Sequence, residues 1–173
     1  MDIFIPDIYA QSIFTIDYDK LKERNIKCIL FDVDNTMVPL SVKEPDKKLK
    51  DLIARVEDKG FKVIILSNGS KGRVEPFKEG LNIDAAHSSM KPLKNKYKKI
   101  MKIYNFKDTE IAAVGDQLLT DIFGANRMGF TSILINPISN VDGVFTKINR
   151  AIENRIFKSL SKRGLFQKGE YHD

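Results

Sequence analysis

The sequence contains few of the residues that cross-link a chain or bind transition metals. There are one cysteine and two histidines in 173 residues. The lone Cys28 cannot form an internal disulfide, and its place in an apolar run indicates a small buried side chain in a reducing compartment. His87 and His172 are isolated, so there is no His/Cys cluster of the kind that binds zinc.

Long apolar segments and targeting signals are missing as well. No apolar run approaches the roughly 20 residues that span a bilayer, which excludes an ordinary transmembrane helix. The first residues, MDIFIPDIYA, carry an acid at position 2 and Pro6 without a basic stretch, so they do not form a secretory signal. We therefore expect a cytoplasmic protein.

Positive charge is in excess. The chain has 29 Lys and Arg against 23 Asp and Glu, a net charge of +6 and a pI near 9.3. This balance favours a phosphorylated substrate, a polyanion or an anionic membrane surface without choosing among them, and it also occurs in ordinary soluble domains. The hydrophobic content of 42% and the length suit a single globular domain spanning residues 1–173.

Short apolar runs alternate with helical patterns along the chain. The runs at residues 28–31, 63–66, 83–86, 111–116 and 131–135 predict strands. Helices are predicted for PDKKLKDLIARVEDKG, KPLKNKYKKIMKIYNF and TDIFGANRMG. The apolar stripe of the first is Leu49, Leu52, Ile53 and Val56, and that of the second is Leu93, Tyr97, Ile100, Met101 and Tyr104. The alternation predicts an α/β domain with a mainly parallel five-stranded sheet, covered on both faces, after a lead-in of residues 1–26.

Polar side chains follow three of the predicted strands. Asp32 and Asp34 follow the first, Ser67 and Asn68 the second, and Asp116 the run that begins at residue 111. The carboxyl ends of parallel strands lie at one edge of a sheet, where ligands bind. Three acids with oxygen-rich neighbours favour Mg²⁺, and a magnesium-bound phosphate beside a carboxylate nucleophile suits phosphoryl transfer. Lys91 can supply a fixed positive charge.

Each motif alone has a simpler interpretation. The D-x-D of Asp32 and Asp34 also occurs in solvated turns and in glycosyltransferases, and Ser67-Asn68-Gly69 is a common turn sequence. Lys91 is one lysine among many. Asp121 suits the first turn of a helix with Thr120 as its N-cap.

Taken together and in order, FDVDNT, LSNGS, Lys91 and VGDQLLTD resemble the haloacid dehalogenase (HAD) superfamily of phosphatases. The resemblance implies a three-layer Rossmann-like fold with Asp32 as nucleophile and Asp34 as general acid and base. It further implies that Thr36, Ser67, Asn68 and Lys91 bind or position the phosphoryl group. Asp32, Asp34 (through its carbonyl) and Asp116 would bind Mg²⁺, with Asp121 supporting them.

More narrowly, the chain resembles the YqeG family of HAD subclass IIIA phosphatases. PDIYAQSIFTID, IKCILFDVDNTMVP, VGDQLLTDIFGANRMGF and INRAIENRIF carry this resemblance. Met37 and Leu40 stand where the family pattern has leucine and tryptophan. The family is related to mitochondrial phosphatases that convert phosphatidylglycerophosphate to phosphatidylglycerol, which implies a lipid head group as substrate. The gaps of about 30 residues after Thr36 and about 20 after Asn68 are too short for a lid domain, so a capless, open site is expected.

The C-terminal segment predicts a basic amphipathic helix over residues 145–164. Ile148, Ile152, Ile156 and Leu160 recur every four residues, with Phe157 beside them. Six basic residues surround this stripe: Lys147, Arg150, Arg155, Lys158, Lys162 and Arg163. The stripe can dock on the domain, or the helix can lie peripherally on an anionic inner membrane surface, and both can hold.

Two other functions stay open. One is a phosphatase acting on a soluble phosphoester or a phosphoprotein. The other is a basic RNA- or ribosome-binding module with a vestigial phosphatase site. The complete set of catalytic residue types makes the second less favoured, because a binding module does not need them.

Overall fold

Six parallel strands form the centre of the protein, whose computed structural model describes residues 2–141 and 143–173. The strands are β1 (Ile8–Ala10), β2 (Cys28–Phe31), β3 (Lys62–Leu66), β4 (Asp84–Ala86), β5 (Ile111–Gly115) and β6 (Thr131–Ile135). Their order across the sheet is β1-β6-β5-β2-β3-β4. After β2 the chain adds β3 and β4 on one side of β2, and it then adds β5 on the other side. The crevice between β2 and β5 is therefore the place where such a sheet binds ligands.

Helices cover both faces of this sheet. They are α1 (Tyr18–Glu23), α2 (Lys47–Asp58), α3 (Lys71–Leu81), α4 (Asn95–Tyr104), α5 (Phe123–Met128) and α6 (Val144–Lys162). Successive residues of β2 point to opposite faces: Ile29 and Phe31 join the core beneath α2 and α3, and Cys28 and Leu30 join the core beneath α4 and α5. The predicted α/β class with a parallel sheet is confirmed.

The sheet has six strands and not the five predicted. The additional strand, β1, pairs with β6 in the register Ile8 to Ile133 and lies in the lead-in of residues 1–26, together with α1. The strand is defined by this pairing with β6, which the local sequence does not show. Helix α3 was not predicted either, because Gly72, Pro76 and Gly80 interrupt its helical composition.

Two predicted helices differ in detail from the structure. Helix α4 begins at Asn95, so Leu93 lies before it and is 47% exposed instead of packing on the core. The helix predicted from TDIFGANRMG begins as a π-helical turn, Leu118–Ile122, which leads into α5. Gly129 ends α5 in the left-handed region at φ +77°.

Only the C-terminal half of α6 is docked by its apolar stripe. Leu160 is fully buried, and Phe157 packs beside it against Phe166. Ile148 and Ile152, in the first half of the helix, are 57% and 45% exposed. In the described part of the chain no helix combines the length and apolar character needed to cross a membrane.

Candidate active site

Three buried aspartates meet at the crevice between β2 and β5. Asp32 directly follows β2, Asp116 directly follows β5, and Asp121 lies in the π-helical turn after β5. One carboxylate oxygen of each lies within 4.8 Å of the others. Oxygen ligands at this spacing are of the kind that holds a hard divalent cation.

Lys91 and Thr36 contact this cluster of three aspartates. The Nζ of Lys91 donates to Asp32 Oδ1 at 2.9 Å and to Asp121 Oδ1 at 2.6 Å. The Thr36 hydroxyl donates to Asp116 Oδ1 at 3.1 Å. Although burial opposes the charge on Lys91, the carboxylates of Asp121 and Asp32 outweigh it and raise its pKa.

A second cation reaches the cluster from α6. The guanidinium of Arg150 forms an ion pair with Asp116 Oδ2 and donates to the Asp116 carbonyl at 2.8 Å. It also contacts Glu153 Oε2 at 3.1 Å, and Glu153 Oε1 accepts from the Leu119 amide at 3.0 Å. Helix α6 is thus tied to the loop that follows β5.

The site carries more buried negative charge than positive. Four carboxylates, those of the three aspartates and Glu153, face two cations, Lys91 and Arg150. Burial, opposed by Lys91, raises the pKa of Asp32 to about 6, and burial, opposed by Arg150, raises that of Asp116 to about 8. With all four ionised, the described groups carry an excess of two negative charges, which a divalent cation would balance, so the residues present fit a bound metal ion.

The segment after β3 approaches Lys91. Ser67 is buried, and its hydroxyl accepts from the Gly69 amide at 3.0 Å. The Asn68 side chain holds the backbone of Lys91, accepting from its N–H at 2.7 Å and donating to its carbonyl at 3.2 Å. The Asn68 amide therefore fixes the backbone of Lys91, and Asn68 also lines the pocket described below.

Asp34 is placed differently from the other aspartates. Its carboxylate is outside the cluster, 29% exposed, and its Oδ1 accepts from Arg73 Nε at 2.7 Å. The same guanidinium contacts the carbonyls of Pro39 and Val42, in the loop that contains Leu40. In residues 2–141 and 143–173, Asp34 Oδ2 has no hydrogen-bond partner.

A pocket of about 320 Å³ connects these groups to the surface. We call it the aspartate pocket. Its lining includes Asp32, Asp34 and Ser67 together with residues of α6 and of the segment after β5. The residues that line it are Asp32, Asp34, Asn35, Leu40, Ser67, Asn68, Gly69, Gln117, Thr120, Gly143, Thr146 and Asn149.

Two arginines and a glutamate in this region were not recognised from the sequence. Arg73 lies in the first turn of α3, five positions after Asn68. Its closeness to the LSNGS motif was the feature of the sequence that could have identified it as a site residue. Arg150 was counted as one of six basic residues around the C-terminal stripe, but it points inward. The other five are exposed. An acid three positions after Arg150 on the same helix, Glu153, could have indicated that the two side chains pair with each other.

Comparison with known proteins identifies the family. Residues 1–139 match the family described as mitochondrial PGP phosphatase. The chain is 37% identical over 164 residues to "Probable phosphatase YqeG" of Bacillus subtilis (strain 168), covering 95% of each protein. It is 27% identical over 175 residues to phosphatidylglycerophosphate phosphatase 1, chloroplastic/mitochondrial, of Arabidopsis thaliana, and spans 49% of that longer protein.

Solved structures agree with the fold. A HAD superfamily (subfamily III A) hydrolase from Legionella pneumophila superposes with a TM-score of 0.51 at 20% identity, covering 69% of this chain and 70% of that one. The 37% identity to the Bacillus subtilis protein confirms the resemblance to the YqeG family. The chain belongs to the family described as mitochondrial PGP phosphatase and is a phosphoric monoester hydrolase.

Proposed function

We propose that the protein is a Mg²⁺-dependent phosphatase that works through a phosphoryl group carried on Asp32, with phosphatidylglycerophosphate as its substrate. The observation that carries this proposal is the position of Asp32. It lines the aspartate pocket, is fixed by Lys91, and lies among carboxylates that carry an excess of two negative charges when all are ionised. That arrangement suits a carboxylate nucleophile beside a divalent cation.

In the first half-reaction an oxygen of Asp32 attacks phosphorus and the bond to the leaving oxygen breaks. The leaving oxygen takes a proton from the Asp34 carboxyl group. Asp34 suits this role because it lines the same pocket as Asp32. Arg73 fixes its Oδ1, and its Oδ2 has no hydrogen-bond partner among the described residues. Ser67 lies on the pocket wall to bind a phosphoryl oxygen.

In the second half-reaction Asp34 takes a proton from water, which attacks phosphorus and breaks the bond to Asp32. Inorganic phosphate and the free carboxylate of Asp32 result. Lys91 holds Asp32 throughout, Asn68 fixes Lys91, and Thr36 orients Asp116. Asp32, Asp116 and the carbonyl of Asp34, supported by Asp121, would hold Mg²⁺, which when bound neutralises charge on the phosphoryl oxygens.

Exposed apolar side chains near the aspartate pocket support a lipid substrate. Ile148 and Ile152 lie on α6, whose first turns line the pocket. Val141, 64% exposed, lies in the preceding loop, and its carbonyl accepts from the Asn35 amide at 3.1 Å. With the four exposed basic residues of α6 and Arg163 directly after it, these side chains suit an anionic bilayer that presents its head groups to the pocket.

Membership in a phosphatase family favours an enzyme over a binding module. The remaining alternative is a soluble phosphoester or phosphoprotein, because a capless site also admits such substrates.

The test is phosphate release from phosphatidylglycerophosphate in mixed micelles, with Mg²⁺ or with EDTA. Wild type is compared with Asp32→Asn and with the surface control Asp51→Asn, and a soluble phosphoester is run in parallel. Mg²⁺-dependent release from the lipid that Asp32→Asn abolishes is the expected result. Release from the soluble ester alone would overturn the lipid substrate and retain the chemistry, and release by Asp32→Asn would overturn the nucleophile.

Membrane contact has a separate readout. Co-sedimentation with phosphatidylglycerol vesicles should weaken in the Ile148→Ser/Ile152→Ser double variant and not in Ile3→Ser, an exposed isoleucine elsewhere. Equal sedimentation of all three proteins would remove α6 from the contact.

A further inference from the structure

The C-terminal helix forms one wall of the aspartate pocket. Gly143, Thr146 and Asn149 line it together with Asp32 and Asp34. Residues three apart share a helix face, so the side chains at 146 and 149 lie together. The sequence predicts an open site because no gap between its motifs holds a lid domain. The wall comes instead from a segment that follows the last motif.

This wall is held in place by buried polar contacts. Arg150, next to Asn149, pairs with Asp116, and Glu153, one turn further along α6, accepts from the Leu119 amide at 3.0 Å. Both partners lie in the segment after β5, residues 116–122, which carries two of the three clustered aspartates. The position of Asn149 is therefore fixed relative to the reacting groups.

The wall is polar and uncharged. Thr146 and Asn149 are half-buried, and in residues 2–141 and 143–173 neither side chain has a hydrogen-bond partner. Gln117 and Thr120 add an amide and a hydroxyl from the loop after β5. Among the described residues lining the pocket there is no lysine or arginine, so the wall offers neutral hydrogen-bond donors and acceptors.

We propose that Thr146 and Asn149 select the leaving group of the reaction, favouring an alcohol with a further hydroxyl close to the ester oxygen. The proposal rests on the phosphatase function proposed above. A site built to hydrogen-bond a hydroxyl discriminates against the analogue without it, because the polar groups of the site are then left unpaired.

The test uses two soluble esters that differ in the leaving group alone, glycerol 3-phosphate and propyl phosphate. Wild type is compared with Thr146→Val, Asn149→Leu and the matched control Asn154→Leu, an exposed asparagine of the same helix outside the aspartate pocket. Wild type should prefer the glycerol ester in kcat/KM. Each pocket variant should lower that preference by roughly 5- to 30-fold, and the control should keep it.

The outcomes separate the two proposals. The selecting role would be overturned if the pocket variants lost kcat/KM equally on both esters or kept the wild-type preference. It would also be overturned if wild type showed no preference for the glycerol ester. If wild type hydrolyses neither ester, the comparison is repeated with phosphatidylglycerophosphate and its analogue lacking the free head-group hydroxyl, with the same criteria. Failure on all four substrates would overturn the proposed function itself, and the selecting role with it.

Discussion

Arg150 and Asp116 form a buried ion pair that joins the C-terminal helix to the end of β5. The two residues are 34 positions apart, and the Asp116 side chain is fully inaccessible to solvent. Arg150 also contacts Glu153, so one guanidinium neutralises part of the charge of two buried acids. The helix that walls the aspartate pocket is therefore anchored on a proposed metal ligand.

Removing this guanidinium should destabilise the protein, and Mg²⁺ should offset part of the loss. In Arg150→Ala, Asp116 and Glu153 stay buried without their cation, a change that costs about 3–5 kcal/mol when a buried pair is broken. At about 2–4 °C per kcal/mol, the melting temperature should fall by roughly 6–20 °C. Thermal unfolding in EDTA and in Mg²⁺ measures both effects, with Arg155→Ala, exposed on the same helix, as control. Equal melting temperatures for the two variants would contradict the prediction.

The stability of the metal-free protein should fall as pH rises. The pKa values of Asp32 and Asp116 are raised from 3.8 to about 6 and about 8, so the folded state keeps protons that the unfolded state releases. By linkage, the free energy of unfolding then decreases from about pH 4 to about pH 8. Mg²⁺ binds the ionised carboxylates, so its stabilising effect should grow over the same interval.

Melting temperatures at about pH 5 and about pH 8, each in EDTA and in Mg²⁺, check this dependence. The Asp116→Asn variant serves as the control, since it lacks the most strongly raised carboxyl group and should show a flatter dependence in EDTA. A metal-free wild type that becomes more stable toward about pH 8 would disprove the assignment.

The strand ends were predictable from the sequence, and the contacts between distant polar residues were not. Asp32 and Asp116 follow apolar runs buried on both faces of the sheet, and parallel pairing alone brings such ends together. Arg150 and Lys147 carry the same charge on the same helix, and what separates them is the side of α6 that meets the segment after β5. Strand β1 is likewise defined by its pairing with β6. The contact between Asp7, just before β1, and Ser132 in β6 joins residues that are 125 positions apart.

Gly115 should not tolerate a side chain. A Cβ at this position would lie 2.1 Å from Cγ of Asp121, so alanine must push that carboxylate away from Lys91. A displacement of about 1 Å at reacting groups lowers turnover by about 100-fold, and Gly115→Ala should show a loss of this size together with weaker Mg²⁺ binding by calorimetry. Gly72→Ala, whose Cβ meets nothing within 4 Å, is the matched control. Wild-type turnover and Mg²⁺ affinity in Gly115→Ala would show that Asp121 is not held as described.

Arg73 should act as a positioning residue for Asp34. Its Nε and Nη2 both lie 2.7 Å from Asp34 Oδ1, and its guanidinium also holds the Pro39 and Val42 carbonyls. Lysine keeps the charge but cannot make this set of contacts. Arg73→Lys should therefore lower kcat by roughly 10- to 100-fold, with a smaller change in KM, because proton transfer depends on the orientation of Asp34.

The pH profile of kcat distinguishes this role from a general loss of structure. If Arg73 orients the acid and base, Arg73→Lys should change the pH dependence of kcat, and combining it with Asp34→Asn should add little further loss. Arg55→Lys, exposed on α2, should match wild type in both respects. Additive losses in the double variant, with an unchanged pH profile, would mean that Arg73 supports the 39–42 loop and not the proton transfer at Asp34.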